Sequence, residues 1–117
     1  MRFEELDVWK RATRLSVAIY RQLASLKDYG FRDQITRASL SVPSNIAEGF
    51  ERISQKECVT FLSYAKGSCG ELRTQIYVGM EIGYIERELG KEWLKESEEI
   101  SLMLGALIRT KKGFAKP

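Results

Sequence analysis

The sequence contains no histidine among its 117 residues. Because histidine titrates near neutral pH and is the commonest zinc ligand, its absence excludes a Ser-His-Asp triad, a histidine general base and most zinc sites. Three glutamates that could be imagined as a carboxylate cluster, Glu48, Glu57 and Glu71, belong to no Glu-x-x-His pair of the kind that di-iron bundles use. We therefore expect a protein that is not an enzyme and that needs no cofactor and no metal.

Cysteine is almost as scarce, with only Cys58 and Cys69. Both lie on one predicted helix, separated by about 16 Å of helical rise, which is too far for a disulfide. As small buried apolar side chains they fit a reducing compartment. No apolar run approaches the ~20 residues of a membrane span, and residues 1–5 are too polar and acidic for a signal peptide. We expect a cytoplasmic protein with no membrane partner.

Proline occurs twice, and one of the two is the last residue, so little in the chain prevents long helices. Apolar residues recur at spacings of three and four in four segments with short breaks between them, and no strand-like alternation or repeat competes with this pattern. The sequence predicts an all-α fold, an up-and-down antiparallel four-helix bundle that forms one domain of residues 1–117. The predicted helices span residues 5–26, 32–48, 54–82 and 86–111.

Glycine and serine positions predict details of these helices. Gly49 is expected to end the second helix, because glycine suits the left-handed conformation at a helix C-terminus. Ser54 and Glu57 have the spacing of a capping box at the start of the third helix. Gly67 and Gly70 lie inside that helix, where each costs about 1 kcal/mol relative to alanine. We expect a close approach of a neighbouring helix to offset this cost.

A polar stripe of unusual regularity runs through residues 34–49 and on to the next turn. At ~100° per residue, Ile35 and Ile46 fall on an apolar arc, and polar side chains fall on the arc beside it. Polar groups placed so regularly at the edge of a core predict a partly buried hydrogen-bonded network, in which Arg37 meets Glu71 across the bundle. The predicted members of the network are Gln34, Arg37, Ser41, Asn45, Glu48, Arg52 and Glu71.

Residues 41–49 of the stripe read Ser-Val-Pro-Ser-Asn-Ile-Ala-Glu-Gly. This run closely resembles the motif of a bacterial four-helix-bundle family first named for open reading frames in intervening sequences of 23S rRNA genes. Spaced matches, among them Leu-Asp-Val-Trp-Lys at residues 6–10, extend the resemblance over roughly residues 3–85. The resemblance implies a barrel-shaped homopentamer. A related branch serves as the accessory protein of diversity-generating retroelements and binds a reverse transcriptase and nucleic acid.

Basic residues are unevenly distributed, although the net charge is only +3. Lys10, Arg14 and Arg21 lie within ~40° of one another on the first predicted helix, opposite its apolar face. The C-terminal end of the chain contains bases and no acid. A solvated face and a helix end would account for both clusters in a monomer, but an oligomer would multiply each patch. The candidate nucleic-acid-binding residues are Lys10, Arg14, Arg21, Arg109, Lys111 and Lys112, with Lys116 in the same tail.

A second stripe of the first helix, Trp9, Thr13, Ser16 and Tyr20, flanks the core face at spacings of four, three and four. Such a stripe is either the periphery of the core or an interface between subunits. Leu40, near the outside of the second helix, is a smaller indication of the same kind. The candidate oligomer interface is therefore Trp9, Tyr20 and Leu40.

These patterns favour a homo-oligomer that acts by binding, as a nucleic-acid-binding, RNA-associated accessory factor. The pentamer follows from the resemblance alone. The alternative is a scaffold that binds another protein and has no role with nucleic acid. A salt-dependent affinity for RNA or DNA distinguishes the two, because phosphate contacts release counterions.

Overall fold

Four helices and one short turn of 3₁₀-helix make up the computed structural model, which describes residues 2–115. The 3₁₀ turn covers Phe3–Glu5. The helices are α1 (Asp7–Gln22), α2 (Tyr29–Glu51), α3 (Gln55–Glu81) and α4 (Arg87–Ala115). Their connections are short, so consecutive helices run antiparallel, and α4 returns to pack against α1. The predicted all-α, up-and-down four-helix bundle is confirmed.

The core lies along the axis of an elongated bundle that measures 51 × 21 × 20 Å. Each helix supplies side chains at the spacings of three and four that the sequence pattern predicted. Among the described residues, the isoleucines and leucines that are buried most completely come from all four helices: Ile19, Ile35, Ile46, Leu62, Leu72, Ile76, Ile100 and Leu104. Cys58 and Cys69 are buried and free, and burial raises the pKa of the Cys69 thiol to about 11.

The start of α2 lies three residues earlier than the apolar pattern predicted. Asp28 caps this helix, because its Oδ1 accepts a hydrogen bond of 3.1 Å from the Phe31 amide. The Tyr84 hydroxyl, on the connection before α4, donates to Asp28 Oδ2 at 2.8 Å. These two hydrogen bonds hold the pKa of the Asp28 carboxyl below its ordinary value, the backbone amide contributing most. Asp28 therefore links the first and third connections of the bundle.

The prediction that Gly49 ends α2 in a left-handed conformation is wrong. The helix continues to Glu51, and among the described residues the only positive φ belongs to Gly83. A Cβ on Gly49 would lie 3.1 Å from the Cys58 carbonyl oxygen and 3.3 Å from Phe61 Cβ, both on α3. Gly49 therefore lies where two helix backbones come close together and leave little room for a side chain.

The close approach predicted at Gly67 and Gly70 is also wrong, because a Cβ at either position would meet no atom within 4 Å.

The capping box at the start of α3 is present in a modified form. Ser54 Oγ accepts from the Glu57 amide at 3.1 Å, and the hydroxyl contacts the Glu57 carboxylate at 3.2 Å. Within residues 2–115, none of the helices combines the length and apolar character that a bilayer crossing requires.

Candidate binding surfaces

The second half of the polar stripe is bonded, but mostly within its own helix. Asn45 Nδ2 donates to the Ser41 carbonyl at 2.9 Å, and Arg52 forms an ion pair of 3.1 Å with Glu48, one turn before it. Within the described residues, the hydroxyls of Ser41 and Ser68 form a hydrogen bond to α3, and Arg52 forms an ion pair of 3.6 Å with Glu57 of α3. This half of the stripe thus fixes local side-chain positions and ties α2 to α3 at two points.

The first half of the stripe does not form the predicted network. Gln34, Arg37 and Glu71 are exposed, and within the described part of the chain no hydrogen bond or ion pair joins Arg37 to Glu71. A cleft of ~300 Å³ separates α2 from α3 at this point, with these three side chains along its walls. The helical spacing identified the face correctly, whereas the distance across to α3 depends on packing that spacing does not determine.

Replacing Asn45 by alanine should lower the free energy of unfolding by about 1 kcal/mol, because one neutral, half-buried hydrogen bond to the Ser41 carbonyl is removed. Urea unfolding followed by circular dichroism measures this change. Gln34→Ala serves as the control, since Gln34 is exposed and should change stability by less than about 0.5 kcal/mol. Equal losses of stability in the two variants would contradict a structural role for the Asn45 hydrogen bond.

Two polar contacts between helices were not predicted from the sequence. The hydroxyls of Ser16 on α1 and Ser39 on α2 share a buried hydrogen bond of 3.0 Å. Arg11 on α1 contacts Glu96 twice, at 2.8 and 2.6 Å, and Glu99 at 2.7 Å, both on α4. Arg11 lies one turn before the buried Leu15, at the edge of the core face. This position in the helical pattern is the feature of the sequence that could have indicated a partly buried arginine.

The electrostatics of the Arg11 cluster follow from these distances. The Arg11 guanidinium, hydrogen-bonded to Glu96, holds the pKa of that carboxyl below its ordinary value, and the charge of Arg14 contributes less. The same contacts raise the pKa of Arg11, with Glu96 the larger cause and Glu99 the next. The cluster thus clamps α1 to α4 with charge-assisted hydrogen bonds, which are stronger than neutral ones.

The predicted interface residues do meet on one surface. Trp9, Tyr20 and Leu40 all line an apolar groove of ~530 Å³ between α1 and α2. Tyr20 is 43% exposed and Leu40 is 48% exposed, which is high for such large apolar side chains. We call this surface the α1–α2 groove, and its full lining is Phe3, Trp9, Thr13, Ser16, Val17, Tyr20, Leu40, Pro43, Ser44 and Ala47.

The predicted basic residues lie on two elements, α1 and the end of α4. Lys10, Arg14 and Arg21 are exposed along α1, and the charge of Arg14 contributes to lowering the pKa of Glu96 on α4. Near the end of α4, the Lys111 ammonium lies 4.8 Å from the centre of the Phe50 ring, so this side chain packs on α2. Lys112 is exposed, and Lys116 lies outside the described residues.

A basic pair that the sequence did not predict lies beside Gly105 of α4. A Cβ on Gly105 would be 3.5 Å from Lys66 Cε, on α3, and 3.6 Å from Arg109 Nη1. Both cations are exposed, and within the described residues neither forms an ion pair. Two basic side chains, one from α3 and one from α4, thus lie beside Gly105 on the same surface. The sequence did not indicate this pair, because Lys66 and Arg109 are distant from each other in the chain.

The described residues contain no group of three or more cysteine, aspartate and glutamate side chains placed to hold a metal ion. The chemistry that the surfaces offer is apolar contact in the α1–α2 groove, anion binding beside Gly105 and polar contact in the cleft between α2 and α3.

Comparisons with known proteins agree with this architecture. A solved structure described as a protein of unknown function from the S23 ribosomal protein family, from Bacteroides thetaiotaomicron, superposes with a TM-score of 0.81 at 25% identity. The superposition covers 86% of this chain and 97% of the other. Among the curated proteins, none matches this chain. Residues 4–106 match the sequence model of the 23S rRNA-intervening sequence proteins, and the chain therefore belongs to that family.

Proposed function

We propose that this protein acts by binding rather than by catalysis, as a homo-oligomeric accessory factor that associates with RNA. Self-association would use the α1–α2 groove, and nucleic acid would contact the basic pair of Lys66 and Arg109. The name of the family refers to 23S rRNA, which makes RNA the first nucleic acid to test.

The observation that carries the nucleic-acid proposal is the convergence of Lys66 and Arg109 beside Gly105. Two cations held together from different helices repel each other unless an anion lies between them. Some other cations have local acids, as Arg52 has Glu48 and Lys91 has Glu88, whereas no ion pair involves Lys66 or Arg109 within the described residues. The basic pair is therefore free to bind phosphate oxygens, and Lys112, about one turn beyond Arg109, extends it.

Oligomerisation is part of the proposal because a net charge of +3 on one subunit neutralises few phosphates. Several subunits around an axis would repeat the basic pair and add their contacts. The α1–α2 groove supplies an apolar surface that a second subunit could bury, since Leu40 and Tyr20 are large and half exposed. A pentamer is the state that the family resemblance implies.

The nucleic-acid test is a fluorescence anisotropy titration of a labelled single-stranded RNA at two or more salt concentrations. Binding should be sequence-tolerant and should weaken as salt rises. The double variant K66Q/R109Q should bind more weakly and show a shallower slope, by about 0.7 for each phosphate that the variant no longer neutralises. The control K27Q/K91Q removes the same charge away from the pair and should keep most of the affinity.

Lys10 and Arg21 allow a second comparison, because they belong to the basic set predicted on α1. If α1 also contacts RNA, K10Q/R21Q should flatten the salt slope as K66Q/R109Q does. Lys111 is left unchanged in these variants, since it packs on Phe50 and its replacement would remove that contact as well as a charge. Absence of binding to both RNA and DNA at low salt would reject the nucleic-acid role.

The assembly test is light scattering during size-exclusion chromatography. The wild-type mass should be a multiple of the 13.4 kDa monomer, with five copies favoured. Leu40→Lys should reduce the mass, because a charge would enter the apolar groove. Leu102→Lys is the matched control, since Leu102 is 68% exposed on α4. A wild-type mass of one monomer at high micromolar concentration would reject self-association.

The alternative function is a protein-interaction scaffold without a role in nucleic-acid binding. The observation that favours it is the apolar character of the α1–α2 groove, which suits a protein partner better than a nucleic acid. A protein that assembles normally but binds neither RNA nor DNA at low salt would support the scaffold.

A further inference from the structure

The cleft between α2 and α3 has the composition of a ligand site. It holds ~300 Å³ and is lined by Asp33, Gln34, Arg37, Ala38, Ser41, Glu71 and Gln75. All of these side chains except Ala38 are polar, and both signs of charge are present. The cleft lies next to the sequence motif at residues 41–49, but it belongs neither to the α1–α2 groove nor to the basic pair.

Several polar groups around this cleft have no partner in the described protein. Gln75 Oε1 is buried and accepts no hydrogen bond. Gln34, Arg37 and Glu71 likewise form no hydrogen bond or ion pair with other side chains of the described chain, although they line one cavity. A buried carboxamide oxygen without a donor costs free energy, and native proteins rarely leave one unsatisfied. The cleft therefore contains unused donors and acceptors.

The arrangement of these groups defines the chemistry of a complementary ligand. Arg37 presents a planar fork of donors, which fits a carboxylate. Glu71 presents an exposed carboxylate, which fits an ammonium group. A phosphate dianion would be repelled by Asp33 and Glu71, and a simple diamine would be repelled by Arg37. A ligand that carries one group of each sign meets neither penalty.

The volume limits the size of that ligand. At ~300 Å³ the cleft lies at the small end of the range for small-molecule sites in proteins, about 300–1,000 Å³. We propose that the cleft between α2 and α3 binds a small zwitterion of amino-acid size, with its carboxylate on Arg37 and its ammonium group on Glu71. This site is independent of the proposed role with nucleic acid.

The proposal is tested by saturation-transfer difference NMR with the free L-amino acids, supplied in small mixtures at millimolar concentration. Saturation transfer should reach at least one amino acid with the wild-type protein and should be abolished in both Arg37→Gln and Glu71→Gln. Lys27→Gln and Glu51→Gln are the controls, because they make the same charge changes at exposed positions outside the cleft. Circular dichroism confirms that each variant is folded.

Succinate and 1,4-diaminobutane complete the test, since each carries only one sign of charge. Neither should show saturation transfer comparable to that of the bound amino acid. Absence of transfer to every amino acid, or transfer that survives in both Arg37→Gln and Glu71→Gln, would overturn the proposal. A lower oligomer mass for Arg37→Gln would also overturn it, because the cleft would then be an interface between copies of the chain.

Discussion

Replacing Gly49 by alanine should lower the free energy of unfolding by about 1–3 kcal/mol, even though alanine is the better helix former. The added Cβ would lie 3.1 Å from the carbonyl oxygen of Cys58 and 3.3 Å from Phe61 Cβ. A backbone carbonyl cannot rotate away as a flexible side chain can, so α2 and α3 would have to separate. Separation would loosen the core around Ile46 and Leu62, which are fully buried.

Gly67→Ala is the matched control and should have the opposite sign. Gly67 lies inside α3 at an exposed position, where a Cβ would meet no atom within 4 Å. Alanine should therefore raise stability by about 1 kcal/mol through helix propensity alone. Urea midpoints of the two variants and the wild type give both values. Stabilisation by Gly49→Ala would show that α2 and α3 can move apart at no cost in stability.

The glycines illustrate what sequence patterns could and could not predict. The positions of the four helices follow from apolar spacing, because that spacing records which face of each helix is buried. A glycine at the edge of such a pattern is ambiguous, since a helix end and a close backbone approach both use its missing side chain. Gly49 lies three residues after the buried Ile46, on the core face of α2, whereas Gly67 is exposed, so the spacing distinguishes their faces. The distance from Gly49 to the backbone of α3 depends on packing, which local sequence does not specify.

The candidate surfaces also include contacts that the sequence predicted and contacts that it did not. Trp9 and Tyr20 share a face of one helix, so their spacing was enough to place them together. Lys66 and Arg109 lie on the same surface because of the register of α3 against α4. No local sequence pattern specifies that register. The pairing predicted between Arg37 and Glu71 failed for the same reason, because it required a distance across two helices. Interactions within a helix are thus predictable from sequence, and interactions between helices need the packed structure.

Arg11→Met should lower the free energy of unfolding by about 1–2 kcal/mol at neutral pH. Arg11 is 28% exposed and its contacts with Glu96 and Glu99 measure 2.6–2.8 Å, so they are stronger than an exposed ion pair but still screened by solvent. Methionine keeps most of the apolar length of arginine. The variant also leaves two carboxylates one turn apart on α4 without the cation between them, and like charges at this spacing repel.

The effect of Arg11→Met should depend on pH, because Arg11 lowers the pKa of Glu96 in the folded protein. A carboxylate with a lowered folded pKa contributes stability above its unfolded pKa, about 4.3, and this contribution disappears as pH falls through the folded value. The difference between wild type and variant should therefore be full at about pH 7 and smaller at about pH 3. Urea unfolding at both pH values measures it, with Arg21→Met as the control, since Arg21 is exposed and forms no ion pair in the described residues. A difference that is the same at both pH values would mean that the ion pairs of Arg11 with Glu96 and Glu99 do not account for the loss of stability.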